Sequence, residues 1–306
     1  MSPKSGYRNM VLIAVVLALS SIGVPAHAIV NPDPVLSTSV PPAVVAVHDE
    51  YEDLLNALRS SDLREKNTQY CTGTLIAPRW VLTAAHCLDG ETDRYVTTFV
   101  DGVKVRRNVV YVSAHPLYAD KRYMTKFDVG LMLLDSPLTG VTPIPIVKKS
   151  DERALSAPEG LMLYGWGMVL RGKGWTQEEF LSRDNSEYPR PIAPSRPKAV
   201  RQFMYTGSPD LKDFGGPYRY VKELHIPSVG RTTSGMTQSG CFGDSGGPLV
   251  SYVKSSPVVV GVVSYGSMDC LSGLPQVNTR IVSVRPWLTS ILDVIEVPVQ
   301  HLPQGS

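Results

Sequence analysis

The chain has 306 residues, of which 43% are hydrophobic and 19% charged, and its formal net charge is +2 at pH 7. These values are ordinary for a globular protein of one large or two smaller domains, and they exclude a wholly disordered chain. A nearly neutral chain offers no electrostatic attraction to nucleic acid or to a membrane surface, so neither is expected as a partner.

The N-terminus has the pattern of a secretory signal peptide. Lys4 and Arg8 precede an apolar run, Val11 to Val24, which is followed by the small-residue tripeptide 26–28. The run is shorter than the roughly 20 apolar residues of a membrane-spanning helix, so cleavage after the tripeptide is favoured over retention as an anchor. Removal of residues 1–28 lowers the formal net charge to 0. The mature protein is expected to be secreted and extracellular, without a stable membrane anchor.

Beyond the leader, short β-prone segments alternate with turn residues. The segments rich in β-branched and aromatic residues are Thr74 to Ile76, Tyr95 to Val100, Val109 to Val112 and Val258 to Tyr265. Short strands punctuated by turns predict an all-β architecture. The run from Asp128 to Leu134 is almost continuously apolar after its first residue, which favours a strand buried on both faces over a helix.

Two other stretches carry apolar residues at helical spacing, Glu50 to Ser61 and Val284 to Val294. The second is expected to pack on the domain as a terminal helix. Between Arg171 and Lys198, four prolines disfavour both strand and helix, which predicts a long loop. A polar stretch near Val147 to Pro158 marks a boundary between two halves.

The four cysteines form an even set in an exported chain, which predicts two disulfides. They stand at positions 71, 87, 241 and 270, and their spacing leaves all three pairings open. Because no C-x-x-C pair is present, a zinc site is disfavoured. We expect neither a cofactor nor a bound metal; the sequence leaves calcium undecided, since it shows no clear oxygen-ligand loop.

Ser245 lies in a glycine-rich segment, Gly243 to Pro248. Glycine at 243 removes a side chain that would crowd an incoming carbonyl, so the amides of Gly243 and Ser245 could stabilise an oxyanion during acyl transfer. The alternative is a tight surface turn with an incidental serine. The α/β-hydrolases share the G-x-S-x-G pattern, but their histidine follows the serine. Here only His301 follows, five residues from the C-terminus, where chain ends fray.

Two upstream residues could activate this serine. His86 ends an apolar run beside Cys87, and Asp128 opens the buried run described above. A carboxylate at the edge of a buried strand is costly unless it is hydrogen-bonded or paired, and a histidine N–H is a suitable partner. Each residue alone has an ordinary alternative, a core histidine or a solvated turn aspartate, but together with Ser245 they indicate a nucleophilic triad. The remaining histidines of the chain's interior are interpreted as structural: His48, His115 and His225.

The order His86, Asp128, Ser245 resembles that of the trypsin and chymotrypsin-like serine proteases. Four further segments resemble the strand before that family's histidine, its Gly-Trp-Gly turn, its substrate-binding strand and its terminal helix: 77–82, 164–167, 264–266 and 286–288. The similarity covers about residues 29–295, with insertions at 50–66 and 171–198. The chain is identified as a secreted, bacterial-type member of that family.

The resemblance implies a chymotrypsin-like double barrel: an all-β fold of two six-stranded antiparallel barrels with a C-terminal helix. Residues 29–147 would form the barrel that carries His86 and Asp128. Residues 148–295 would form the barrel that carries Ser245, together with the helix, and residues 296–306 would be a tail.

The implied activity is that of a serine endopeptidase acting on protein or peptide substrates, with protein inhibitors as possible partners. Ser245 would attack the scissile carbonyl, His86 would act as general base, and Asp128 would orient the imidazole. The amides of Gly243 and Ser245 would form the oxyanion hole. An esterase with the same chemistry and a catalytically idle binding protein on the same fold are the alternatives.

The resemblance also selects the disulfides Cys71–Cys87 and Cys241–Cys270. With four cysteines, the chain lacks a third disulfide that many members of the family have. Cleavage of the signal peptide would expose Ile29, whose ammonium would pair with Asp244 and order the oxyanion turn. The Asn-Pro pair at 31–32 is stiffer than the glycines usual at that place.

Specificity is expected to depend on the pocket beside Ser245. Ser239 stands where relatives that cleave after Lys or Arg carry an aspartate, and Gln276 stands where glycine is common. Ser264, Tyr265 and Gly266 would form the substrate-binding strand. These residues predict a preference for small or medium uncharged side chains.

Overall fold

The computed structural model of the chain describes residues 36–50, 69–90, 93–118, 126–156, 160–167, 196–206, 220–230, 232–233, 236–266, 270 and 274–295. Several sequence predictions lie outside these residues. They are the signal peptide, Ile29, the Glu50 to Ser61 helix beyond its first residue, the loop between Arg171 and Lys198 up to residue 195, His301 and the C-terminal tail.

The described strands form two closed antiparallel barrels and one short hairpin. The strands of the first barrel are β1 (Val44–Asp49), β2 (Gln69–Ala77), β3 (Trp80–Thr83), β4 (Arg94–Val100), β5 (Val103–Ala114) and β6 (Gly130–Leu134). Those of the second are β7 (Leu161–Gly165), β8 (Lys198–Met204), β9 (His225–Gly230), β12 (Pro248–Val253), β13 (Ser256–Tyr265) and β14 (Gln276–Arg280). The hairpin consists of β10 (Thr232–Thr233) and β11 (Met236–Thr237).

The order of neighbouring strands is β1-β2-β3-β6-β5-β4 in the first barrel and β12-β13-β14-β9-β8-β7 in the second. Each sheet closes on itself, which leaves no long unpaired edge. The predicted double-barrel fold is confirmed.

The helices differ slightly from the sequence prediction. The terminal helix α1 (Ile281–Ile295) begins three residues before the predicted Val284. Ile281, Val284 and Leu288 are almost completely buried, as expected for a helix that packs one apolar stripe on a barrel. Three short 3-10 helices complete the described elements: Leu36–Ser39, Ala85–Leu88 and Lys149–Ser156. Within the described part of the chain, no helix combines the length and the hydropathy needed to cross a membrane.

The predicted buried strand after Asp128 is present but shorter than expected. It begins at Gly130, so that Asp128 and Val129 precede it. The side chains of Leu131, Met132 and Leu134 are fully buried. Asp128 lies outside the strand because the backbone turns there: Phe127 has a φ of 59°, and the N–H of Val129 donates to the carbonyl of Phe127 at 2.7 Å.

The two barrels are tied together by a crossover segment and by a tryptophan. The segment from Pro145 to Val147 runs along β13 and exchanges backbone hydrogen bonds with Val259 at 2.9 and 3.0 Å. Trp166 follows β7, and its indole N–H donates to the carbonyl of Val44 in β1 at 3.0 Å. These contacts hold the two barrels against each other. The domain limits 29–147 and 148–295 stay a prediction.

Two disulfides are present, Cys71–Cys87 and Cys241–Cys270, as the resemblance implies. The first joins β2 to the 3-10 helix that carries His86. The second joins the segment before Ser245 to the segment after β13. Each one therefore anchors a part of the candidate site.

Candidate active site

The pairing of β3 with β6 positions the first two residues of the site. The strands run antiparallel with Thr83 opposite Gly130, so residues that follow β3 and residues that precede β6 lie at the same end of the barrel. There the imidazole Nδ1 of His86 lies 2.8 Å from Oδ2 of Asp128, and the backbone N–H of His86 donates to Oδ1 at 3.0 Å. The strand register thus brings together two residues that are 42 positions apart.

Asp128 is also held by the second barrel. Ser264 in β13 donates its hydroxyl to Oδ2 of Asp128 at 2.6 Å, and Thr279 in β14 donates to the backbone carbonyl of Asp128 at 2.8 Å. Asp128 is only 3% exposed, so the hydroxyl of Ser264 replaces water that the buried carboxylate loses, and the hydroxyl of Thr279 does the same for the backbone carbonyl. The resemblance assigned Ser264 only to the substrate-binding strand, and nothing in the sequence marked Thr279. Their contacts with Asp128 could not be foreseen because they form only where the two barrels meet.

Two consecutive tight turns, 241–244 and 244–247, carry Ser245. In each, the N–H of the fourth residue donates to the carbonyl of the first, at 3.0 and 2.8 Å. The third residue of each is a glycine with positive φ, 87° at Gly243 and 80° at Gly246, as a type II turn requires. Glycine is therefore needed here for backbone conformation and not only for space.

These turns leave two amides unused. Among the described residues, the N–H groups of Gly243 and Ser245 have no hydrogen-bond acceptor. Each side of Ser245 is fixed by the turns, so these donors are held in place before any ligand arrives. Such preorganised donors can bind a developing negative charge.

The Ser245 segment packs beside His86. The carbonyl oxygen of Ser245 accepts the N–H of Thr72 at 2.8 Å, and it lies 3.7 Å from the sulfur of Cys87, the neighbour of His86 in the chain. The side chain of His86 is 32% exposed. The structure therefore places the backbone of Ser245 next to the segment that carries the accessible imidazole.

His86 and Asp128 shift each other's pKa. Burial acts to lower the pKa of His86, but the charge of Asp128 and its hydrogen bond outweigh burial, and the pKa of His86 lies above 6.5. Burial acts to raise the pKa of Asp128, but the charge of His86 and the hydrogen bonds from His86 and Ser264 hold it below 3.8. The carboxylate therefore stays ionised, and the imidazole is a stronger base than a free histidine.

Asp244 is a second buried carboxyl group with different partners. Burial raises its pKa to about 7, although the N–H groups of Cys241 and Gly167 donate to it at 2.8 and 2.7 Å. A Cβ atom on Gly165 or Gly167 would lie within 1.9 or 2.4 Å of this carboxyl group, so both glycines are needed to make room for it. No cationic side chain of the described residues forms an ion pair with Asp244. The environment of Asp244 therefore favours an added cation.

Gln276 lies between Gly240 and Gly266, the second of which belongs to the predicted substrate-binding strand. Its Oε1 accepts the N–H of Gly240 at 3.1 Å, and its Nε2 donates to Oδ1 of Asn278 at 2.9 Å. A Cβ atom on Gly266 would lie 3.9 Å from Cγ of Gln276. Gln276 is 3% exposed, so its side chain is fixed in this position by burial and by hydrogen bonds at both the oxygen and the nitrogen of its amide. Ser239, next to Gly240, is partly buried.

The other histidines of the described residues make packing contacts. The rings of His48, His115 and His225 each lie against an aromatic ring, at centroid distances of 4.5, 4.6 and 6.0 Å. The ring that His225 meets edge-on is that of Tyr265, which is 8% exposed. The structure therefore places the Tyr265 ring in a buried contact with His225 of β9.

One cluster in the described residues has potential metal-ligand atoms close together, namely Cys71, His86 and Cys87. The two sulfur atoms are joined in a disulfide. They cannot serve as thiolate ligands, and the cluster is not a metal site.

Comparison with known proteins points to one family. The Trypsin family model matches residues 58–288. Serine protease 28 of Mus musculus is 29% identical over 228 residues, which are 71% of this chain and 76% of that protein. Chymotrypsin-2 of Vespa crabro is 27% identical over 222 residues, which are 72% of this chain and 87% of that protein.

A third similar protein is named as inactive. Inactive snake venom serine proteinase 13 of Crotalus adamanteus is 28% identical over 228 residues, which are 72% of this chain and 77% of that protein. All three relatives are animal proteins, so the bacterial type suggested by the sequence stays a prediction.

The charge of Asp128 is expected to control the pKa of His86. In Asp128→Asn the charge that raises this pKa is lost while burial remains, so the pKa of His86 should fall from above 6.5 to below it. NMR titration of the imidazole protons measures the change. Asp135→Asn, the same substitution at an exposed aspartate, should leave the pKa of His86 unchanged. A value that stays above 6.5 in Asp128→Asn would contradict this account.

Proposed function

We propose that this chain, which belongs to the trypsin family of serine proteases, is a secreted endopeptidase that cleaves peptide bonds through an acyl-enzyme on Ser245. The observation that carries the proposal is the arrangement around Ser245. A hydrogen-bonded pair of His86 and Asp128 lies beside the segment of Ser245, where the amides of Gly243 and Ser245 have no acceptor among the described residues. Nucleophilic catalysis requires these parts: a nucleophile, an oriented base and donors for the oxyanion.

The proposed reaction begins with His86 donating its Nδ1–H to Asp128, which leaves Nε2 free to act as base. Nε2 takes the hydroxyl proton of Ser245 while Oγ attacks the scissile carbonyl carbon. The amides of Gly243 and Ser245 stabilise the resulting oxyanion. When the intermediate collapses, the C–N bond breaks and the imidazolium protonates the leaving amine.

Deacylation repeats these steps with water as the nucleophile. His86 takes a proton from water, hydroxide adds to the acyl carbon, and the acyl–Oγ bond breaks as Ser245 recovers its proton. Since both half-reactions need the neutral imidazole, the rate should fall as the pH falls through the pKa of His86, which lies above 6.5.

The proposed substrates have small or medium uncharged side chains at the residue before the cleaved bond. Gln276 occupies the space between Gly240 and Gly266 with a fixed, buried side chain, and Ser239 offers no charge to attract lysine or arginine. In this proposal Ser264, Tyr265 and Gly266 provide the strand along which the substrate backbone lies.

The proposed activation uses the new N-terminus produced by export. The buried carboxyl group of Asp244 lies in the turn before Ser245, and burial raises its pKa to about 7. An ammonium group at Ile29 would neutralise this carboxylate and fix the turn. Signal peptide cleavage would then suffice for activation.

The assignment of Ser245 can be tested by covalent labelling. A fluorophosphonate probe should label the mature protein, and Ser245→Ala should abolish both labelling and peptide hydrolysis, because the probe bonds only to an activated nucleophile. Labelling is measured by mass spectrometry and hydrolysis with a peptide library.

Ser256→Ala, at an exposed serine of β13, should label and hydrolyse normally. Equal labelling of Ser245→Ala and the unmodified protein would refute the assignment. Turnover of small esters without turnover of any peptide would favour the esterase alternative, and absence of labelling would favour the idle binding protein.

Gln276→Gly should widen the pocket. We expect kcat/KM for peptides with phenylalanine before the cleaved bond to rise at least about tenfold relative to alanine peptides, since a few methylenes in a pocket are worth factors of this size. Peptides with lysine at that position serve as the control and should gain nothing, because the change introduces no negative charge. An unchanged phenylalanine-to-alanine ratio would show that Gln276 does not limit the pocket.

The mature protein should begin at Ile29, as measured by N-terminal sequencing after export. One alanine added before Ile29 should lower kcat/KM at least about tenfold, because the displaced ammonium could no longer neutralise the buried Asp244 carboxylate. One alanine added at the C-terminus is the control and should have no effect. A different first residue, or full activity of the extended protein, would rule out this activation.

A further inference from the structure

Thr72 in β2 is fully buried, and each of its polar groups is hydrogen-bonded. Its N–H donates to the carbonyl of Ser245 at 2.8 Å, and its carbonyl accepts the hydroxyl of Thr83 at 2.9 Å. Its own hydroxyl donates to the carbonyl of Gly243 at 2.8 Å and accepts the N–H of Trp166 at 3.0 Å. One residue of the first barrel therefore contacts both sides of the segment that carries the candidate nucleophile.

The direction of the hydroxyl bond is fixed by its neighbours. Because Oγ1 of Thr72 accepts the N–H of Trp166, its own proton is available for the carbonyl of Gly243. The three groups form a chain in which each bond polarises the next. A hydroxyl held in this way is a rigid support.

The turn needs such a support because Gly243 has little conformational preference of its own. The peptide unit between Gly243 and Asp244 is held at its carbonyl by Thr72 and at its N–H by the carbonyl of Cys241. The carbonyl of Ser245 is held by the backbone of Thr72. The N–H groups of Gly243 and Ser245, which have no acceptor among the described residues, belong to the peptide units next to these fixed ones, so their directions depend on them.

We propose that Thr72 is a positioning residue of the oxyanion hole: its hydroxyl holds the turn in which the amides of Gly243 and Ser245 face the substrate. The inference rests on the proposed function and extends it to a residue of the first barrel that does not touch substrate. Donors to an oxyanion lose much of their effect when displaced by about half an ångström, so loss of this hydroxyl should impair the chemical step more than substrate binding.

Thr74 provides a matched control on the same strand. It is two positions away, faces the same side of β2, and is also buried, at 1% exposure. Its hydroxyl oxygen has no hydrogen-bond partner among the described residues. Replacement of either threonine by valine keeps the shape and removes one hydroxyl, but only at Thr72 does that hydroxyl contact the turn.

The experiment compares Thr72→Val, Thr72→Ser and Thr74→Val in the mature protein, with kcat and KM measured per titrated active site. Thr72→Val should lower kcat about 10- to 100-fold, somewhat less than the loss of a whole oxyanion donor, and change KM less than about threefold. Thr72→Ser, which keeps the hydroxyl, should retain kcat within about threefold, and Thr74→Val should match the unmodified enzyme. The acid limb of the pH profile should stay in place, since the pair of His86 and Asp128 is untouched.

An unchanged kcat in Thr72→Val, or an equal loss in Thr72→Ser, would overturn the proposal. If Thr72→Val does not fold, Thr72→Ala is compared with Thr72→Ser, because these two variants differ only in the hydroxyl. Equal kcat values of the two variants would overturn the proposal, and so would failure of Thr72→Ala to fold. The proposed function fails separately, if Ser245→Ala leaves hydrolysis intact. If Ser245→Ala is inactive and Thr72→Val is not impaired, only the role of Thr72 is wrong.

Discussion

A buried carboxylate at the junction of the two barrels, Asp128, is the constraint on which the site depends. Its charge is unfavourable in an apolar environment unless several donors surround it. His86 supplies two of them from the same barrel, and Ser264 supplies another from the other barrel. The ionisation of Asp128, the orientation of the imidazole and the docking of the barrels are therefore one linked property. A change in any of them alters the other two.

Asp128 and Asp244 show how environment gives one residue type two behaviours. Both carboxyl groups are buried, and burial raises the pKa of each. At Asp128 the adjacent imidazole reverses this effect. At Asp244 two backbone N–H groups do not, so its pKa reaches about 7. The contrast separates a carboxylate that already has an imidazole partner from one that has only backbone donors among the described residues.

Much of the molecule could be predicted from its sequence. The alternation of short β-prone segments with turns was sufficient to predict an all-β fold, because each strand has its own local pattern. The double barrel was implied by the resemblance that the order of the three motifs carries. The contacts of Thr72, Thr279 and Asn278 could not be predicted. They join elements that only barrel closure brings together, and a threonine or asparagine in a strand carries no local sign of its partner. The first residue of β6 was also missed, since the bonds of Asp128 lie outside the strand pattern.

The close contact between Gly246 and the first barrel constrains how the two halves of the chain can evolve. A side chain at that position would collide with the hydroxyl of Thr83 at 2.1 Å and with the carbonyl of Thr72 at 2.3 Å, both from the other barrel. The two barrels share a topology, yet they are not interchangeable modules. A chimera of one half of this chain and the other half of a relative would fold only if the residues that meet between the barrels matched. Substitutions in one barrel at these contacts should therefore be accompanied by substitutions in the other.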